Sequence, residues 1–135
     1  MLNGGSAITN VNANNGTYVA YCFAQVAGYS AFGSYTGNAS TDGPFVYTGF
    51  RPEFVMLKRS DSTADWLIID SARNTYNAAG NFLYPNLTNA EDVTDRIDFL
   101  SNGFKLRTTA GPNNSGSTWI YSAFAETPFK NSLAR

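Results

Sequence analysis

Apolar residues in this chain fall in short runs separated by turn-forming residues. Two runs, one near each end, read almost as copies: Tyr18-Val-Ala-Tyr-Cys-Phe-Ala-Gln25 and Trp119-Ile-Tyr-Ser-Ala-Phe-Ala-Glu126. A strand with one face in water alternates apolar and polar residues. Neither run does. Each is apolar almost throughout, the pattern of a strand covered on both faces or lying at a packed sheet centre. The two runs are therefore expected to be adjacent or facing strands in the middle of one β core. Cys22, inside the first run, is expected to behave as a small buried hydrophobe.

Between the runs the pattern stays short and strand-like. After the first expected strand, at about 17–26, Gly28 breaks the chain. A period-two piece follows, with Tyr29, Ala31, Gly33 and Tyr35 on one face and Ser30, Phe32 and Ser34 on the other. Thr36-Gly-Asn-Ala-Ser-Thr-Asp-Gly43 is a loop dense in turn formers. Pro44–Phe50 reads as a short strand closed by Arg51-Pro52, and the apolar runs 54–58 and 66–70, joined by polar 59–65, read as an antiparallel hairpin. Residues 71–95 are the least regular, with one helical turn expected near Asn89–Val93. In 97–107, Asn102-Gly103 stands between two strand-like runs. That pair supplies positive φ at both central positions of a type I′ turn and predicts a tight hairpin. A Gly/Asn/Ser-rich loop over 108–118 leads to the last strand at about 118–126, ended by Pro128. No stretch carries the period of an ordinary helix. About seven to nine short strands, with turn signals roughly every 8–12 residues, predict an all-β protein. The expected architecture is an antiparallel β-sandwich of jelly-roll or lectin-like type, with little or no helix.

Length and composition bound this picture. A chain of 135 residues makes one domain and buries roughly two thirds of its unfolded surface. The Gly/Asn/Ser/Ala-rich stretch 1–16 is too polar to order itself and is expected to be a flexible lead. A single sandwich domain is expected over 17–130, with a short tail at 131–135. Aromatics make up 15% of the residues and charged groups only 14%. The surface is then built from hydroxyl, amide and Tyr groups, which form close contacts without stripping water from ions. The net charge is −1 and no segment concentrates Lys and Arg, so the electrostatic footprint of a nucleic-acid partner is missing.

The chain has no histidine, which excludes Ser-His-Asp and Cys-His arrangements and His-based metal sites. Its single cysteine excludes an intrachain disulfide. No run of about 18 apolar residues occurs, so no transmembrane helix is expected, and Met1–Ser6 lacks the charged start and apolar core of a secretory leader.

Three groups of residues carry candidate chemistry. The loops Asn38–Asp42 and Asp61–Asp65 gather oxygen atoms, but with too few carboxylates for calcium, and solvated turns are the expectation. Asp70, Asp95, Asp98 and Glu126 are candidates for the facing carboxylate pair that glycoside hydrolysis needs. For Asp70 an ion pair with Arg73 is the simpler account, and for Glu126 a hydrogen bond to Gln25 at a sheet end. Tyr29, Tyr35, Tyr47, Tyr76 and Tyr84 sit beside turn residues or at strand ends, where a flat ring with a hydroxyl suits recognition. If the loops 36–43, 59–65 and 108–118 gather at one end of the sandwich, Tyr35, Asn38, Asp42, Asp65 and Asn113 line a shallow polar ligand-binding surface, with Tyr35 as the stacking platform. No catalytic residue, metal ligand or cofactor is assigned.

The order of motifs also carries a resemblance. Tyr18-Val-Ala-Tyr-Cys-Phe-Ala24, Gly28-Tyr-Ser30, Phe32-Gly-Ser-Tyr-Thr-Gly-Asn38 and Thr41-Asp-Gly-Pro-Phe-Val-Tyr-Thr-Gly-Phe-Arg-Pro52 open it. Trp66-Leu-Ile-Ile-Asp-Ser-Ala-Arg73, Asp98-Phe-Leu-Ser-Asn-Gly-Phe-Lys-Leu-Arg107 and Tyr121-Ser-Ala-Phe-Ala-Glu-Thr-Pro-Phe-Lys130 continue it. Over about 17–130 the chain resembles a domain of unknown function in tailed-phage virion proteins, frequent in marine phages. The resemblance implies a structural, non-enzymatic virion protein on the phage tail or capsid surface. A tail-fibre domain that contacts a host surface or another virion protein is the first reading. A capsid decoration or spike protein is the second, and a polysaccharide-degrading tail component the third. The implied partners are other virion proteins, a host glycan or receptor, and further copies of itself in a homo-oligomer, a trimer. Nucleic acid and membrane insertion are not among them.

Overall fold

The computed structural model describes residues 13–127. Most of the expected lead, 1–12, and the expected tail at 131–135 lie outside the described residues. Within them are eight strands: β1 (Ser30–Thr36), β2 (Phe45–Tyr47), β3 (Pro52–Arg59), β4 (Trp66–Asp70), β5 (Ala79–Phe82), β6 (Asp92–Leu100), β7 (Gly103–Leu106) and β8 (Thr118–Ala125). A single 3-10 turn, Gly111–Asn113, is the only helical piece among the described residues. The strands form two four-stranded antiparallel sheets, in the orders β1-β8-β3-β4 and β2-β7-β6-β5. The protein is all-β, as the sequence predicts.

Each sheet supplies every second residue to a shared core. From the first sheet come Ala31, Tyr35, Val55, Leu57, Leu67, Ile69, Trp119 and Ala123; from the second come Val46, Ala79, Phe82, Ile97, Phe99, Phe104 and Leu106. Phe104 is the junction, meeting Tyr35 and Tyr121 of the opposite sheet edge-on at 6.1 and 5.5 Å between ring centres. Of the alternation read along 29–35, Ala31 and Tyr35 point inward and Phe32 outward, whereas Tyr29 packs edge-on at 6.0 Å against the outward Phe124 and Ser30 is buried. The hairpin read from 54–58 and 66–70 is present as β3–β4, with Phe54 opposite Asp70 and Lys58 opposite Trp66.

The two apolar end runs part company. The second is β8, at a sheet centre, paired with β1 on one side and β3 on the other. The first, expected as a strand over 17–26, is not one. Val19–Phe23 enters no strand ladder and no turn bond among the described residues. The position beside β8 that it would need is taken by β1, which the turn at Gly28 folds back into the sheet edge. The run lies instead as an arm against the sheet, with the Phe23 ring 5.9 Å from Phe124 and 6.2 Å from Phe32. Cys22, expected in the core, is exposed for the same reason. An apolar run destined to lie across a sheet reads the same as one destined for its centre.

Two local expectations are also corrected. The helical turn near Asn89–Val93 is absent, since β6 starts at Asp92, whose carboxylate accepts bonds from the Thr94 amide and hydroxyl and from Tyr84. The hairpin at 97–107 exists, but its turn is Ser101-Asn102, with Leu100 opposite Gly103. Neither Asn102 nor Gly103 has positive φ. Gly103 is needed for proximity: a Cβ there would fall 2.1 Å from the Val46 carbonyl oxygen on β2.

Candidate contact surface

The residues not used by the core make two unlike outer faces. On the second sheet the exposed side is crossed by ion pairs. Lys105 meets Asp42 at 2.5 Å and Arg107 meets Asp98 at 2.5 Å, with Phe45 and Tyr47 on the edge strand. On the first sheet the outward positions are Phe32 from β1, Phe54, Met56 and Lys58 from β3, Trp66 and Ile68 from β4, and Ile120, Ser122 and Phe124 from β8. Strand alternation sends these away from the core. A sheet face in water is ordinarily polar. This one is apolar.

The arm covers part of it. Between the arm and the sheet runs a groove of about 620 Å³, lined by Tyr21 and Phe23 on one side and by Phe32, Met56, Lys58, Trp66, Ile120 and Ser122 on the other. Tyr21 is 84% exposed, Phe23 67%, Ile120 44% and Trp66 39%. A second apolar depression, bounded by Phe23, Phe32, Phe54, Met56 and Phe124, continues it. The one ammonium in the groove is already occupied, since Lys58 Nζ donates to the Ala64 carbonyl and lies 5.9 Å from the centre of the Trp66 ring. Groups that hydrogen-bond a ligand are nearly missing here, while aromatic area is plentiful.

The polar loops behave otherwise. The loops 36–43, 59–65 and 108–118 do come together at one end of the sandwich. Gly37 donates to Ser117, Ala39 to Asn113 and Ser60 to Thr118, and the Thr118 amide donates to Asp61. Two of the five residues proposed to line a ligand surface there are buried, however. Tyr35 lies in the core, its hydroxyl donating to the Pro112 carbonyl at 2.8 Å, and burial pushes its phenol pKa far up. It is no stacking platform. Asn113 is fully buried, accepting from the Asn38 amide at 2.9 Å and donating to Asn38 Oδ1, Ser40 O and Thr108 O. Both residues are spent on joining the loops, because a buried loop must pair its backbone groups internally. Asn38 is therefore a partner of Asn113. Asp42 is exposed and bound to Lys105, whose hydrogen bond holds its carboxyl below the usual range. Asp65 faces another way, accepting from Asn86 at 2.9 Å.

A comparison with protein families places the chain. It belongs to the family described as a domain of unknown function, DUF7483. The family model spans residues 2–128 of the sequence. No curated protein and no solved structure matches the chain.

For this member of the family, three of the four carboxylates considered for hydrolysis are held by arginines: Asp70 by Arg73, Asp98 by Arg107, and Glu126 by Arg51 at 2.8 Å. The Asp70–Arg73 pair is the one read from sequence, whereas Glu126 takes Arg51 in place of Gln25. The side chain of Asp95 lies outside what the structure describes. Of the five tyrosines, Tyr47 and Tyr76 are the most exposed. Tyr84 packs against the core and donates to Asp92. Among the described residues no three His, Cys, Asp or Glu side chains are grouped as a metal site, and no helix is long and apolar enough to cross a membrane. The sequence reading missed the outer positions Phe32, Phe54, Met56 and Ile120. The signal for them was present: β3 and β8 fail to alternate, which marks strands with apolar residues on both faces.

Proposed function

We propose that this domain is a structural contact module of a phage virion, carried on a tail fibre, and that it works through the outer face of its first sheet. The virion setting rests on the sequence resemblance over about 17–130. The contact role rests on one observation, the contrast between an ion-paired outer face on one sheet and an apolar, aromatic outer face on the other. Contiguous exposed apolar surface of this kind is the usual mark of a protein-contact site.

Protein is favoured over glycan as the partner on this face. A sugar docked in the groove would surrender water from its hydroxyls, and among the lining side chains only the Tyr hydroxyls, Ser122, the Trp66 indole N–H and the engaged Lys58 are there to replace it. A protein surface with apolar side chains loses nothing by the exchange. An antibody raised against the isolated domain, applied to purified particles from a host producing this polypeptide, tests the reading by electron microscopy. Label on the tail fibre is expected. Label on the capsid would select a decoration or spike role, and unlabelled particles would overturn the virion assignment.

A further inference from the structure

We propose that the arm has a second seat, the open outer edge of β1, and that moving there uncovers the apolar face. The use of the uncovering rests on the reading of that face as a contact surface; the seat itself stands on the backbone alone.

Parity defines the edge. Val26 N donates to Ser30 O at 3.2 Å and Ser30 N to Val26 O at 2.9 Å, across the three-residue loop 27–29 in which Gly28 takes a φ of +74°. That is a hydrogen-bonded antiparallel pair, the closing rung of a hairpin. The Ser30 amide and carbonyl therefore point away from β8, and at period two so do those of Phe32, Ser34 and Thr36. Tyr29 and Gly37 have the other parity and bond Ala125 and Ser117 on the β8 side. Among the described residues no hydrogen bond reaches the outward backbone groups of Phe32, Ser34 or Thr36. A bare strand edge is a template for another strand.

The arm fits that template. Continued from the Val26–Ser30 rung, the hairpin register sets Ala24 opposite Phe32, Cys22 opposite Ser34 and Ala20 opposite Thr36. Ser30 Oγ donates to the Ala24 carbonyl at 2.9 Å, which keeps the chain beside β1 that far back. Among the described residues Val19–Phe23 has no backbone bonds to give up, and its apolar and aromatic composition is that of a strand. The contacts that hold the arm off the edge are those of the Phe23 ring with Phe32 and Phe124.

In the ladder Phe23 stands opposite Gly33, and Tyr21 opposite Tyr35. Residues directly opposite share a side of the sheet, and Tyr35 is on the core side. Both rings thus leave the outer side, where the small Ala20, Cys22 and Ala24 take their place. The groove loses the wall made by Tyr21 and Phe23, and Phe32, Met56 and Phe124 are bared. The arm is a strap that covers the face in one seat and opens it in the other.

The single cysteine of the chain reads the register. A hydrogen-bonded pair has its Cα atoms about 5.5 Å apart, within the roughly 4.4–6.8 Å that a disulfide spans. Ser34→Cys in the full chain, held in a glutathione redox buffer, is expected to form a disulfide between position 34 and Cys22 within one copy. Thr36→Cys, off that rung, should form several-fold less. In the locked Ser34→Cys protein the amides at 32, 34 and 36 should exchange far more slowly than in its reduced form. Anilinonaphthalene sulfonate fluorescence should rise several-fold on locking and fall again on reduction. Equal yields at the two positions, no disulfide in a variant with the wild-type circular-dichroism spectrum, a disulfide between two chains, or unchanged exchange at the edge would overturn the second seat. Unchanged dye fluorescence would overturn the uncovering. If Ser34→Cys does not fold, Ala20→Cys with Thr36→Cys in a Cys22→Ser background repeats the test on the next rung, all three positions being exposed. These measurements use the isolated protein, so they stand or fall apart from the particle labelling.

Discussion

At the scale of single residues, two positions show how a polar or absent side chain holds the sandwich together. The Asn113 amide nitrogen reaches three acceptors, at 3.0, 2.8 and 2.7 Å, and its oxygen takes the Asn38 amide. Asn113→Ala leaves those groups in place with their partner gone, and a buried polar group left unmade costs about 1–3 kcal/mol. Urea unfolding should show a loss of about 3 kcal/mol or more. The more exposed Asn38→Ala should lose clearly less. Gly103 is the opposite case, a residue defined by what cannot be added. Its missing Cβ leaves 2.1 Å to the Val46 carbonyl, so Gly103→Ala must push β2 away from β7. A loss of about 1–3 kcal/mol is expected, as for other overpacked sites. A melting temperature equal to wild type would show that β2 is not held where it stands.

At the scale of elements, the arm and β8 separate two meanings of an apolar run. Phe104, fully buried between the sheets, should cost about 3–5 kcal/mol when cut to Ala. Phe23→Ala should cost less than about 1 kcal/mol, because that ring is mostly exposed and leaves no cavity. The same contrast should appear in hydrogen exchange. Amides of β8, bonded in a ladder on both sides, should be among the slowest, and those of Val19–Phe23, outside any ladder, should exchange far faster. Slow exchange through 19–23 would restore the strand that the sequence pattern alone leads one to expect.

At the scale of the whole molecule, Arg73 ties the two sheets. It binds Asp70 at the end of β4 and Glu91 just before β6, and Glu91 also accepts from Asn81 on β5. Burial works against the Asp70 carboxylate, but its hydrogen bonds from Arg73 outweigh that and hold its pKa below the usual value. A carboxyl whose pKa is lower folded than unfolded adds stability in full above the unfolded value of about 3.9. That stability is lost as pH falls below it. Unfolding free energy should therefore decline below about pH 4, and Arg73→Gln should make that decline shallower. At neutral pH the substitution should cost about 1–2 kcal/mol, between the worth of an exposed and a buried pair. An acid limb identical to wild type would show that the clasp does not carry the effect.

The sequence by itself determined the fold class and the β3–β4 pair, because strand period and turn chemistry are local and survive in the order of residues. The same pattern marked both Tyr18–Gln25 and β8 as candidates for a sheet centre, and only β8 lies there. Only the tertiary structure decided what depends on competition for one position. Tyr18–Gln25 and Ser30–Thr36 both suit the place beside β8, and the turn at Gly28 lets the second fold back into it. Only the structure decided, too, that Tyr35 and Asn113 face inward. A hydroxyl or an amide in a loop reads alike whether it meets water or a buried carbonyl across some seventy-five residues of chain. The contact face lies between these cases: its residues were legible one strand at a time, but only the assembled sheet brings Phe32, Met56, Trp66 and Ile120 side by side.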